Sequence, residues 1–177
     1  MNYLAFLLGI NVGGNRKVPM GELRIVFEKF GFTNVKTLLN SGNVLFSTDE
    51  ADVSVLRKKI EEQLAKSFGF EVKAIVRTQK EIQEIVTENP FKDVVIILET
   101  RLYVTFLSEE QKNKLQIPYE SPEKNFKILE ITHNTVISVL ILSEKYNTTD
   151  AMKIIGKEFG RNITTRNWNT VVKLSRL

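Results

Sequence analysis

An α+β fold of two tandem β-α-β-β-α-β units, residues 1–90 and 91–177, is what this sequence of 177 residues predicts. Three observations predict it. Strand-like and helix-like hydrophobic periods alternate in the same order in each half, a short turn signal separates the middle two strands of each half, and each half closes with an additional amphipathic helix. With 42% hydrophobic and 26% charged residues, the chain can bury a core, and four Pro and nine Gly set it apart from disordered or fibrous sequences.

The elements of the first half follow in order. Residues 3–8 form an unbroken apolar run, as expected of a strand buried on both faces. A loop rich in Gly and Asn spans residues 9–19, and Pro19 suits the first turn of a helix. Leu23, Val26, Phe27 and Phe30 then recur at helical spacing, and Gly31 closes that helix. Strands at 35–39 and 44–46 flank Asn40-Ser41-Gly42-Asn43, a tight turn in which Gly42 can take positive φ. Thr48 or Asp49 is the expected cap of a helix whose apolar positions are Val53, Leu56, Ile60 and Leu64. Val72, Ala74 and Val76 mark an amphipathic strand. Thr78-x-x-Glu81 forms a capping box for a helix carrying Ile82, Ile85 and Val86, which Asn89-Pro90 ends.

The second half repeats the order. Residues 102–107 read as a strand, and Ser108-x-x-Gln111 as the start of a short helix. Residues 126–131 and 135–142 form a hairpin around His133-Asn134. Thr148 or Thr149 opens a helix with Ala151, Ile154, Ile155 and Phe159 on one face, closed by Gly160. A short strand is expected at 162–165, and Asn167 caps a last helix bearing Trp168, Val171, Val172 and Ser175 on one stripe. Right-handed β-α-β crossovers make the ferredoxin-like arrangement the economical solution for each half: an antiparallel sheet covered by helices, the two halves packed together. The halves share this pattern without a run of identities. Residues 91–100 join them and are too apolar for a flexible linker, so a rigid pairing is expected.

Composition removes several chemistries. The absence of Cys excludes disulfides, thiol nucleophiles and zinc–cysteine sites, and His133 is the only histidine, so neither a metal centre nor a cofactor is expected. The N-terminal apolar run has no positive segment before it, and no later run approaches the length of a membrane span. The expected protein is soluble and cytoplasmic, with no membrane partner. The formal net charge is +4, and the positive charge is uneven. Residues 151–177 carry six Lys and Arg against Glu158 alone, and residues 1–21 carry Arg16 and Lys17 with no acid. That distribution points to an anionic partner, a nucleic acid or a phosphorylated small molecule.

Two segments carry the candidate binding residues. The loop at 9–19 leaves a buried strand and enters a helix, where backbone N–H groups can hold an anion. Its candidates are Asn11, Gly13, Gly14, Arg16 and Lys17. It is not a Walker loop, because Asn15 and Arg16 stand where Lys and Ser or Thr are required. The competing reading is a hydrated crossover loop whose glycines serve turns. Thr165, Arg166, Asn167 and Trp168 bring together a hydroxyl, a guanidinium, an amide and an indole suited to phosphate, carboxylate or a nucleobase. Against this, Asn167 serves equally as a cap and Trp168 as an anchor for the last helix. Ser41 and Asn43 offer a hydroxyl and an amide from the first hairpin turn, or simply make that turn. A Ser41 nucleophile would have to recruit His133 from the other half. The loop at 9–19 and the turn at 40–43 are expected at opposite ends of the first sheet, and would share a site only across a homodimer or through the second half. Binding RNA on the sheet would need exposed aromatics such as Tyr3, Phe6 and Phe46, but the aromatic RNA-binding motif is absent and these side chains read as core.

Leu7-Leu8-Gly9-Ile10-Asn11-Val12-Gly13-Gly14, Lys17-Val18-Pro19-Met20 with Leu23, and Gly31-Phe32-Thr33-Asn34-Val35 carry a wider resemblance. So do Ser41-Gly42-Asn43-Val44, Asn89-Pro90-Phe91 and Thr164-Thr165-Arg166-Asn167-Trp168-Asn169-Thr170-Val171. From first strand to last helix, the chain resembles the bacterial family called domain of unknown function 1697. The resemblance implies ferredoxin-like substructure and a cytoplasmic location, and it brings no activity with it. Leu8 departs from the Arg that many relatives carry before the Gly-Ile-Asn-Val-Gly-Gly run, which weakens a reading of the loop as a phosphate clamp. The leading functional expectation is a binding protein for an anionic ligand. The alternatives are a small-molecule enzyme using the same loop as an oxyanion or phosphate cradle, and an interaction module pairing through sheet edges or the last helix.

Overall fold

Five consecutive side chains from Tyr3 to Leu7 are buried in β1 (Asn2–Leu8), as its unbroken apolar run requires. The computed structural model describes residues 1–14, 16–109, 115–132 and 134–177. Those residues form a mixed α+β structure with two antiparallel sheets and five α-helices. None of these helices is long and apolar enough to cross a membrane. The chain divides into one unit of Met1–Glu84 with Lys173–Leu177 and another of Ile85–Val172.

In the first unit, β1 is followed by α1 (Met20–Lys29), β2 (Thr33–Leu38), β3 (Asn43–Ser47), α2 (Val53–Phe68), β4 (Lys73–Thr78) and the start of α3 (Gln79–Glu88). The strand order is β2-β3-β1-β4 with antiparallel neighbours throughout. One sheet face presents Tyr3, Ala5, Leu7, Val44, Phe46, Ala74 and Val76 to the helices, which answer with Leu23 and Phe27 from α1 and Leu56, Ile60 and Leu64 from α2. These helical positions fall three or four residues apart, so each helix commits one stripe to the core. Phe46 is the hub. Its ring lies 4.4 Å from Phe32, 5.6 Å from Phe27 in an edge-on contact, and 5.8 Å from Tyr3. Leu4, Phe6, Leu45 and Ile75 on the other face are buried as well. Tyr3, Phe6 and Phe46 are at most 1% exposed, so the aromatics that an RNA-reading sheet would offer are core.

The register corrects one geometric expectation. Asn43 of β3 lies opposite Phe6 of β1, and the two strands run antiparallel. The turn between β2 and β3 therefore sits at the C-terminal end of β1, the same end from which the loop at 9–19 departs. A β-strand that returns antiparallel must begin where its neighbour ends, so the two segments share one end of the sheet.

The second unit contains β5 (Thr100–Leu107), β6 (Tyr119–Glu120), β7 (Phe126–Thr132), β8 (Thr135–Ile141), α4 (Thr148–Phe159), β9 (Ile163–Asn167) and most of α5 (Trp168–Ser175). Its strand order is β6-β7-β8-β5-β9. Leu107, Phe126, Ile128, Val136 and Leu140 pack with Ala151, Ile155 and Phe159 of α4. The two-residue β6 has no hydrophobic period to announce it and was not expected. Most of the short helix expected from Ser108-x-x-Gln111, together with His133, lies outside the described residues.

Helix starts differ from the sequence reading in two places. The cap of α2 is Asp52, whose carboxylate accepts from the backbone N–H groups of Ser54 at 2.7 Å and Val55 at 3.3 Å, rather than Thr48 or Asp49. The cap of α4 is Asn147, in a reciprocal box with Asp150, rather than Thr148 or Thr149. In both cases the residue one step before the first helical turn carries the better acceptor. Thr78 and Glu81 form the box read from sequence, with bonds of 2.7 and 3.1 Å.

Hydrogen bonds from the Ser54 hydroxyl and then the Ser54 and Val55 amides hold the Asp52 carboxyl below its ordinary value of 3.8. Because the folded value is the lower one, this stabilisation is present above pH 3.8 and is lost as pH falls through the folded value. Acid titration of thermal stability should therefore show a shallower loss below that pH in Asp52→Asn, which keeps an acceptor but does not titrate there. An acid limb identical to that of the parent protein would contradict the assignment.

Candidate functional site

Asn11 organises the loop that follows β1. Its backbone takes φ of 56°, a left-handed conformation that Asn tolerates better than most residues. From there its side-chain Oδ1 accepts from the Val18 N–H at 2.8 Å, while Nδ2 donates to the Val18 carbonyl at 3.0 Å and the Asn40 carbonyl at 2.9 Å. Its own N–H donates to the Arg16 carbonyl at 3.1 Å. One carboxamide thus closes the loop on itself and ties it to the turn between β2 and β3.

That turn has its own constraints. The Leu7 N–H donates to the Gly42 carbonyl at 2.8 Å. A Cβ on Gly42 would stand 2.7 Å from Ile10 Cδ1 and 2.9 Å from Leu7 Cβ, and φ is +73°. Glycine is required here by close approach as well as by the turn. Asn43 is fully buried, and its Nδ2 donates to the Leu38 carbonyl and to Ser41 Oγ, both at 2.9 Å. Ser41 and Asn43 thereby hold the turn in shape.

Between the loop and the turn lies an open cleft of about 390 Å³, lined by Asn11, Gly14, Lys17, Val18, Pro19, Met20 and Asn40. It falls within the ~300–1,000 Å³ typical of small-molecule sites. Lys17 is exposed and forms no ion pair with a described residue. Pro19 precedes α1 and offers no side-chain cap to the first-turn N–H groups of that helix. Glu22 of the same turn does not line the cleft. The loop candidates therefore divide. Gly14 and Lys17 face the cleft, Asn11 frames it, and Gly13 lies exposed on the loop. Arg16 is not among the lining residues, and its guanidinium lies 6.0 Å from the centroid of the Phe70 ring. Asn40, Pro19 and Met20 were not singled out from sequence. Asn40 reads there only as a turn residue, and nothing local shows that the turn meets the loop.

The second candidate segment belongs to the other unit. Arg166 donates to Thr164 Oγ1 at 2.6 Å and to the Thr165 carbonyl at 3.0 Å, and burial pushes its guanidinium down to about 10, still protonated at neutral pH. Thr165 Oγ1 pairs with Thr105 Oγ1 at 2.8 Å across β5 and β9. Asn167 Oδ1 accepts from the N–H and hydroxyl of Thr170 at 2.9 and 2.8 Å, as a cap does. Trp168 meets Phe91 edge-on at 5.1 Å.

Asn11→Ala should remove about 2–4 kcal/mol of stability, because three hydrogen bonds vanish and alanine inherits positive φ. Gly42→Ala should cost about 1–3 kcal/mol through strain and overpacking. Urea unfolding of both variants checks this, and a change under 0.5 kcal/mol in either would contradict the corresponding role.

Among solved structures, the chain is similar to the conserved bacterial protein SP0830 from Streptococcus pneumoniae, at 22% identity and a TM-score of 0.75. The match covers 99% of this chain and 96% of that one, and it shows a shared fold. No curated protein matches the sequence significantly. Residues 1–136 match the family model described as Protein of unknown function (DUF1697), and the chain belongs to that family.

Proposed function

We propose that the cleft between the loop at 9–19 and the turn at 40–43 binds a small anionic ligand, a phosphorylated or carboxylated metabolite. The observation that carries this reading is the balance of free donors and acceptors around the cleft. Asn11 Nδ2 already engages the Val18 and Asn40 carbonyls, and among the described lining residues none is acidic. The donors at hand are the Lys17 ammonium, the amide nitrogen of the Asn40 carboxamide and the first turn of α1, to which Pro19 gives no side-chain cap. Gly14 leaves open space where a side chain would project. Asn11, Ser41 and Asn43 act as positioning residues, and Thr165 to Trp168 serve their own unit. The cleft's size favours a small molecule over a nucleic acid, and the buried sheet aromatics remove the usual platform for bases.

We also infer that the two units are ferredoxin-like repeats. The order β2-β3-β1-β4 recurs as β7-β8-β5-β9. Aligning the two registers pairs Tyr3, Phe6 and Leu7 with Tyr103, Phe106 and Leu107, and pairs Arg77 with Arg166. The Leu7 bond to the Gly42 carbonyl recurs as Leu107 to Asn134, both at 2.8 Å. Both arginines also donate to the carbonyl of the preceding residue.

Calorimetric titration with inorganic phosphate tests the cleft. Lys17→Ala should weaken binding about tenfold, as loss of one charge-assisted hydrogen bond does, and Arg16→Ala should leave affinity within twofold. Unchanged affinity in Lys17→Ala, or an equal loss in both variants, would overturn the reading. Tighter binding of an oligonucleotide than of phosphate, with a steep salt dependence, would favour a nucleic acid instead.

A further inference from the structure

The lining of the cleft mixes two chemistries. Lys17 and Asn40 carry polar side chains, whereas the consecutive Val18, Pro19 and Met20 carry apolar ones. Val18 is buried and fixed by its two bonds to Asn11. Pro19 is exposed, and Met20 is half-buried with part of its side chain against the core. An inorganic anion would use only the polar groups. It would leave the Pro19 ring and the Met20 thioether in water beside it, although a rigid ring and an adaptable thioether suit a flat apolar group.

We infer that the ligand is an oxyacid carrying an apolar substituent: an aryl or alkyl phosphate monoester, or the equivalent carboxylate. This rests on the anion-binding reading above. The acid group meets Lys17 and the donors of α1, and the substituent lies along Pro19 and Met20. Specificity then comes from Pro19 and Met20, because Lys17 accepts any compact anion. Covering a group of phenyl size removes enough apolar surface from water to gain roughly tenfold in affinity or more.

The test compares inorganic phosphate, phenyl phosphate, acetate and benzoate by isothermal titration. The expected result is that phenyl phosphate binds at least tenfold tighter than phosphate, and benzoate correspondingly tighter than acetate. Met20→Gln should erase most of the phenyl phosphate-to-phosphate affinity ratio, and Met20→Leu should restore it. Lys17→Ala should weaken phosphate and phenyl phosphate by the same factor. Thermal melts establish that each variant is folded before titration. Equal affinity for phosphate and phenyl phosphate overturns this inference and leaves the anion site standing. Binding of none of the four overturns both. A preference that survives unchanged in folded Met20→Gln also overturns it, since the substituent then lies elsewhere.

Discussion

The side-chain carboxamide of Asn11 is bonded at three points, to the N–H and carbonyl of Val18 and to the carbonyl of Asn40. Those bonds replace the pairing that a loop of this kind would otherwise lack, since the backbone between β1 and α1 has few partners of its own. They also fix where α1 begins, because Val18 and Pro19 lead directly into it. This one side chain holds the start of the helix and joins it to the turn between β2 and β3, with the cleft between them. Asparagine suits the position twice over: it accepts positive φ, and it presents two donors and an acceptor in one plane.

The same interaction shapes the chemistry of the cleft. A loop carbonyl beside a bound anion repels it, whereas one already accepting from Asn11 is partly neutralised by that donor. Among the described residues that line the cleft there is no carboxylate, and the one lysine makes no ion pair with a described residue. Gly42 complements the arrangement from below. Without a Cβ, it lets the turn close over Ile10 and Leu7, which keeps Asn40 within reach of the loop.

Much of the fold was legible because local rules and tertiary structure agree. The apolar run at β1, the helical stripe of Leu56, Ile60 and Leu64, the Thr78 box and the Asn167 cap all follow from period and hydrogen-bonding chemistry. Helix starts at Asp52 and Asn147 were misplaced because several acceptors compete within a few residues. The two-residue β6 is too short to carry a period. The pattern shared by the two halves was read from hydrophobic period, but the matching residues behind it were not. Three identities in five residues, Tyr3, Phe6 and Leu7 against Tyr103, Phe106 and Leu107, stand out only when the strand register aligns them. The cleft was half legible. Gly14 and Lys17 could be read from the loop alone, but Asn40 required the antiparallel pairing that brings the turn to the end of β1. Arg16 could not be assigned without knowing that Phe70 stands beside it.

Hydrogen exchange at the Val18 amide tests the clasp most directly. This N–H lies outside any strand or helix and donates to Asn11 Oδ1 at 2.8 Å. It should exchange as slowly as the Leu7 amide, which donates to the Gly42 carbonyl at the same distance. Protection at Val18 should collapse in Asn11→Ala while that of the central strands persists. A Val18 amide exchanging at the rate of an unstructured peptide in the parent protein would contradict it.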